Sequence, residues 1–171
     1  MKHIIAITAL FALCACQTGG TTYSSSDGDG GIEKTRTSGD PLATCDSPQK
    51  AEVVEFANEA RDEEGLGDLY CDRELASIAQ RHAEDMCEND YLSHTSQDGR
   101  TMRDRADRAG INYQTLGENV AMGQTAAHQV HDNWMESPNH RKNIMRDSFS
   151  RIGVGHAPCD GRPYWVQVFA N

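Results

Sequence analysis

The apolar positions of this chain change period along its length, and the changes mark out its elements. Over residues 73–87, Leu75, Ile78, Ala79, Ala83 and Met86 recur at helical spacing, with His82 on the same stripe. Asp72 stands at the N-cap of that helix. An earlier helix is expected over 48–64: Ser47 suits the cap, Pro48 the first helical position and Gly65 the end. Asp98-Gly99 marks a turn. A short helix follows from Thr101, with Asp104 placed for a capping box and Gly110 closing it. A further helix over 126–135 turns Ala127, Val130 and Trp134 inward and is stopped by Ser137-Pro138. The period then falls to two. Residues 151–157 and 164–169 alternate, and Asp160-Gly161 between them predicts a hairpin. Gly153 and Gly155 share one face of the first strand, where a helix or an aromatic ring must come close. Helices alternating with a few strands, without internal repeats, predict an α+β fold in which helices cover a small sheet.

The first residues follow another pattern. Lys2 and His3 precede an apolar run over 4–13 that is too short to span a bilayer and reads as a secretory signal. The run ends in Leu13-Cys14-Ala15-Cys16, which resembles the lipobox of bacterial lipoproteins, with Cys16 as the acceptor. Cys14 is the poorer acceptor, because bulky Leu13 would sit at the cut. The resemblance implies a signal peptide over 1–15 and attachment to a membrane through lipidated Cys16. Acyl chains contribute about 0.8 kcal/mol per buried methylene, so several hold a protein durably. Gln17 after the cysteine, where aspartate would favour inner-membrane retention, implies the outer membrane, on its periplasmic or its surface side. Without lipid, the chain would be extracellular. Residues 16–46 are rich in Gly, Ser and Asp and predict a flexible tether, with the folded domain over 47–171. Asp27-Gly28-Asp29-Gly30-Gly31 lacks the glutamate and flanking helices of a calcium loop.

The formal charge of -10, with no lysine-rich face, excludes nucleic acid as a partner and gives no electrostatic grip on anionic lipid. A monomer is expected. Of the six cysteines, Cys45, Cys71, Cys87 and Cys159 lie outside the signal region. An even set in an exported chain implies two disulfides, and the absence of a C-x-x-C pair disfavours a zinc ribbon or a dithiol redox site. Three pairings are open. If the first two helices pack antiparallel, Cys45 lies near Cys87, which leaves Cys71 for Cys159.

The sequence carries an ordered series of short motifs: Asn58-Glu59-Ala60-Arg61, His82-Ala83-x-Asp85-Met86, Ser93-His94, Gly117-Glu118-Asn119-Val120-Ala121, Trp134-Met135-x-Ser137-Pro138-x-His140-Arg141-x-Asn143-Ile144, Ile152-Gly153-Val154-Gly155 and Tyr164-Trp165-Val166-Gln167. This series resembles the CAP superfamily of cysteine-rich secretory proteins, antigen 5 and pathogenesis-related proteins of class 1, and most of all its bacterial secreted (SCP-like) branch. The resemblance implies a three-layer α-β-α sandwich ending in a β-hairpin. It also implies a cavity of two histidines and two acids that holds a divalent metal such as zinc in some members. By motif, His94, Glu118 and His140 take three of those places and become the candidate metal ligands. Ser137 stands where the second acid would be. Glu136 is one residue early and would point elsewhere from a helix. Asn119 and Arg141 either orient the cleft or close hydrogen bonds that hold its loops.

Imidazole and carboxylate converging from separate segments suit a metal or acid–base site. Glu118 is the candidate base, or else an acid that caps backbone amides near a turn. His82 is read as a buried, hydrogen-bonded core histidine rather than a ligand. His128 and His131 are read as surface or partly buried residues. Three functions remain open. The first is a non-catalytic binding module for a lipid, glycan, peptide or envelope component, favoured by the absence of Gly-x-Ser-x-Gly and His-Glu-x-x-His. The second is a metal-dependent hydrolase of peptidase type using zinc-bound water. The third is a structural interaction protein of the envelope.

Overall fold

The computed structural model describes residues 41, 42 and 44–171. The signal, the lipobox with Cys16 and most of the stretch read as tether lie outside the described residues. Five helices and four strands follow in the order α1 (Pro48–Glu63), β1 (Tyr70–Cys71), α2 (Arg73–Glu88), α3 (Met102–Arg108), β2 (Leu116–Met122), α4 (Ala127–Glu136), α5 (Pro138–Ile144), β3 (Arg151–Ala157) and β4 (Tyr164–Ala170) among the described residues. The strands form one sheet in the order β1-β3-β4-β2. β1 runs parallel to β3, and β4 is antiparallel to both its neighbours. The fold is α+β with a C-terminal hairpin, as the alternation predicts.

Local chemistry starts and stops the helices as expected. Ser47 accepts from the Lys50 amide, Asp72 accepts from those of Glu74 and Leu75, and Thr101 with Asp104 forms a reciprocal capping box. The β4 strand alternates between two cores. Trp165 and Phe169 pack with Val53, Val54 and Ala57 of α1 and with Val130 and Trp134 of α4. Val166, Val168 and Ala170 pack with Leu75, Ile78, Ala79 and Ala83 of α2. Helices therefore cover both faces, which makes three layers. The stripe predicted for α2 is buried throughout, His82 included.

Gly153 and Gly155 explain how closely α2 approaches. A β-carbon at Gly153 would lie 2.1 Å from the Ala76 nitrogen, and one at Gly155 would lie 2.3 Å from the Ala79 carbonyl carbon, inside any possible contact. Helix backbone thus packs directly on strand backbone. Buried Arg61 ties the other layer. Its guanidinium donates to the carbonyls of Gly67, Ile144, Arg146 and Phe149, fixing the chain after α5 to the end of α1.

Several expectations are corrected. The disulfides are Cys45–Cys71 and Cys87–Cys159, with Cα separations of 5.3 and 5.9 Å, not Cys45–Cys87 and Cys71–Cys159. The expected pairing assumed antiparallel contact between α1 and α2, but those helices lie on opposite faces of the sheet. Cys71 lies on β1, which also receives the segment before α1: the Cys71 amide donates to the Pro41 carbonyl, and Thr44 bonds the Cys71 carbonyl. Pro41, Thr44 and Cys45 are thus fastened to the body of the domain. Loop-closure entropy gives each bridge about 3–4.5 kcal/mol. His131 is buried rather than superficial, at 8 % exposure. Its ring packs against Phe56 of α1 at 5.8 Å between centroids, because the face of α4 turned toward α1 is wider than Val130 and Trp134 alone. His128 is exposed.

Two predictions follow from this packing. Gly155→Ala must push α2 off the sheet, and the expected loss is about 3 kcal/mol or more, read from the shift in denaturant midpoint. Burial holds the imidazoles of His82 and His131 below their usual pKa, with Arg105 adding to the effect at His82. The unfolded chain therefore binds these protons more readily. Stability should be fully present above about pH 6.5 and decline as pH falls through the lower folded values. Urea midpoints measured across that range check it, and His131→Phe should flatten the decline.

Candidate binding cleft at the edge of the sheet

The Gly117-Glu118-Asn119 motif lies on β2, an edge strand, rather than at a turn. Its register sends neighbouring side chains to opposite faces. Glu118 stands opposite Val168 and points toward the α2 and α3 layer, whereas Asn119 stands opposite Gln167 on the α1 and α4 side.

Glu118 is 3 % exposed, so its charge needs partners. Arg105 of α3, 6 % exposed, donates from Nη2 to Glu118 Oε2. His94 Nδ1 lies 2.9 Å from Oε1. The same Arg105 secures the loop that carries His94. Its Nη1 donates to the His94 and Arg100 carbonyls, each at 3.2 Å, and to Ser96 Oγ at 2.9 Å. His82 completes the support from beneath, with Nε2 2.8 Å from the Ser93 carbonyl. Ser96 Oγ lies 3.5 Å from its other nitrogen, Nδ1, so the reading of His82 as a buried, hydrogen-bonded core histidine is met.

Asn119 is wholly buried and works on the opposite face. Its amide donates to the His140 carbonyl at 3.2 Å and to Gln167 Oε1 at 3.1 Å, and its oxygen accepts from Asn143 at 2.8 Å. Asn143 also donates to the Glu118 carbonyl at 3.0 Å, so α5 covers the free edge of β2. Helix α5 had no counterpart among the expected elements. It begins directly after Ser137, because Pro138 suits a first helical position as well as it ends α4.

The two imidazoles come within electrostatic range of each other. The hydrogen bond to Glu118 raises the His94 pKa, against the opposing effect of burial. Burial lowers that of His140, and the charge of His94 lowers it further. His94 is 59 % exposed and lines an open cleft of about 510 Å³ with Thr95, Met102, Arg103, Leu116 and Glu118. His140 stands outside this lining. Arg141 turns away to Glu64 at the end of α1, 3.2 Å from its carboxylate. Glu136 is exposed at the end of α4. A second groove, of about 490 Å³, lies along α2 beside Cys45 and has no imidazole.

Among the described residues no three His, Cys, Asp or Glu side chains are grouped to hold a metal ion. Both Glu118 oxygens and His94 Nδ1 are engaged, which leaves His94 Nε2 and the His140 ring as donors. These two imidazoles are the side chains that could contact a divalent ion, and no third ligand stands with them among the described residues. They do not fit the three protein ligands of a hydrolytic zinc.

The residue that organises the cleft, Arg105, was not among the expected site residues. The available signal was its place in the same ordered series of motifs, between Asp98-Gly99 and Gly110.

Residues 54–169 match the CAP family, described as the cysteine-rich secretory protein family, and the chain belongs to it. It is 36 % identical over 137 residues to the uncharacterized protein YkwD of Bacillus subtilis, covering 80 % of this chain and 52 % of that one. It is 31 % identical over 118 residues to the uncharacterized membrane protein YlbC of the same organism, covering 69 % of this chain and 33 % of that one. The chain thus spans about half the length of one relative and a third of the other. An extracellular SCP-domain protein of Bacillus anthracis superposes with a TM-score of 0.68 at 29 % identity, covering 72 % of this chain and 40 % of that one. An outer surface protein of Borrelia burgdorferi superposes with 0.64 at 25 % identity, covering 70 % and 88 %. These structural neighbours are extracellular or outer-surface proteins. No helix among the described residues is long and apolar enough to cross a membrane.

Removing one partner of a buried ion pair strands the other. Arg105→Leu is expected to cost about 3–5 kcal/mol, with much of it recovered in the Arg105→Leu/Glu118→Leu double variant. Chemical unfolding of the four proteins in this cycle measures the coupling.

Proposed function

We propose that this CAP domain is a non-catalytic binding module of the cell envelope, tethered to the outer membrane through lipidated Cys16. One observation carries the reading: both oxygens of Glu118 are engaged, one by Arg105 and one by His94. A carboxylate held this way orients an imidazole and is not free to accept a proton from water. All four cysteines outside the signal region are paired, so none is a nucleophile. What the cleft offers a ligand is a half-exposed imidazole beside the apolar side chains of Met102 and Leu116. This suits a lipid, glycan or peptide with one polar group to place against His94. Were zinc to bind, His94 Nε2 and His140 would be the residues to hold it, and it would supply a Lewis-acidic contact for such a group.

The full chain, extracted in detergent from a bacterial host, should carry a co-purifying small molecule that mass spectrometry identifies. Thr95→Trp, which fills the cleft from an exposed position, should lose that molecule without unfolding. Zinc-dependent cleavage of peptides or esters that disappears in His94→Ala/His140→Ala would overturn the reading in favour of a hydrolase.

A further inference from the structure

We propose that the groove along α2 beside Cys45 docks an extended segment of a partner polypeptide that carries two acidic side chains four residues apart. The groove measures about 490 Å³. One wall is Thr44 and Cys45, which the Cys45–Cys71 disulfide and the Thr44 bond to the Cys71 carbonyl fix to β1. The other is the flank of α2, where Arg73, Ala76, Ser77 and Arg81 follow at helical spacing. The small side chains of Ala76 and Ser77 leave room between the two arginines.

The free edge of β3 selects for polypeptide. β1 pairs only with Arg151 and Ile152, yet β3 runs on to Ala157. Alternate residues of a strand turn their backbone groups to the same side. On this side the Ile152 carbonyl accepts from the Asp72 amide, and the Gln80 carboxamide takes both backbone groups of His156, each at 3.0 Å. Val154 lies between them, and neither its N–H nor its C=O has a partner at this edge among the described residues. Backbone groups in a folded chain are ordinarily paired. Gln80 lines the groove, as does Arg73 directly after Asp72, so groove residues bound the unpaired position on both sides. At His156 this edge already takes an amide from a side chain. A peptide offers Val154 the same donor and acceptor, and one residue of an antiparallel strand exchanges both bonds. Asp72 and Gln80 occupy the edge to either side, so the pairing is confined to that residue.

Charge sets the rest of the segment. Arg73 and Arg81 are exposed, and no ion pair or hydrogen bond engages either of them among the described residues. Asp46, the acid in the lining, is held by Lys50 Nζ at 2.9 Å. Eight residues of helix separate the two arginines, a rise of roughly 12 Å. Four residues of extended chain span roughly 13 Å, and side chains four apart point the same way. Acids at those two positions therefore meet both guanidinium groups while the residue midway pairs with Val154. The groove is separate from the His94 cleft, so its test stands whether or not that cleft binds a ligand.

The full chain in detergent is titrated with the capped peptide Asp-Val-Ser-Val-Asp, labelled for fluorescence anisotropy, and with two relatives. One has lysine in place of both acids. The other is N-methylated at the central serine, which removes the donor to the Val154 carbonyl but keeps both charges. Saturable binding of the first is expected, with each relative about tenfold or more weaker. In nuclear magnetic resonance spectra the Val154 amide should shift as the acidic peptide is added. Arg73→Gln/Arg81→Gln changes two exposed side chains that hold nothing else in place, so it should fold and bind about tenfold or more weakly. Ser77→Trp, which fills the groove from an exposed helical position, should abolish binding. Lys142→Gln, an exposed basic residue on α5, should bind as the unaltered protein does. The proposal fails if the acidic peptide does not bind, if the lysine or N-methylated peptide binds equally well, or if the double arginine variant or Ser77→Trp binds undiminished. Self-association of the full chain that Ser77→Trp abolishes would assign the groove to a second copy and overturn it as well.

Discussion

A carboxylate on a buried strand position determines how this domain is assembled around its cleft. Glu118 sits on β2 with almost no access to water, and an unpaired charge there would cost several kcal/mol. Arg105 meets that charge, and its planar fork has donors to spare. They reach the carbonyls of His94 and Arg100 and the hydroxyl of Ser96. One side chain therefore joins α3, the loop carrying His94 and the edge strand. A lysine would bring the charge but not the fork, and the loop would lose its anchor.

The site could form only at an edge. Successive residues of a strand face opposite layers, so Glu118 and Asn119 address different halves of the sandwich. In the middle of the sheet the two halves would never meet. At β2 there is no further strand, and α5 closes over the edge by hydrogen bonds from Asn143 to the Glu118 carbonyl and the Asn119 side chain. Asn119 in turn holds the backbone of His140. Two histidines more than forty residues apart in sequence thereby approach from either side of the same strand. The close seating of α2 on Gly153 and Gly155 supports this arrangement from behind, because α2 carries His82, which holds the loop before His94.

Much of this was legible in the chain. The caps of α1, α2 and α3, the stripe of α2, the hairpin and the glycines under α2 each depend on a few neighbouring residues with one strong local preference. What could not be read depends on contacts between distant segments. Cys45 and Cys71 pair because β1 catches the segment before α1, and no local pattern reports which face of the sheet a helix will take. β2 escaped because Gly117, Glu118 and Asn119 are poor strand formers, and their placement follows from tertiary bonds rather than propensity. His131 looked superficial because Val130 and Trp134 already claimed the inward face of its helix, which is wider than those two residues. Arg141 looked like a cleft residue on motif alone, but its length lets it reach Glu64. The importance of Arg105 became visible only once Glu118 was known to be buried.

The pairing of Arg105 with Glu118 also bears on whether the cleft could run a reaction. A general base contributes about two to four orders of magnitude to a rate. For Glu118 to act as one, it must take up a proton while its guanidinium partner stays buried beside it. Uncoupling a buried ion pair costs about 3–5 kcal/mol, which corresponds to roughly the same two to four orders of magnitude. The gain from base catalysis would thus be largely cancelled by the loss of the ion pair. An imidazole held in one orientation by that carboxylate incurs no such cost. It presents a fixed hydrogen-bonding edge to the cleft.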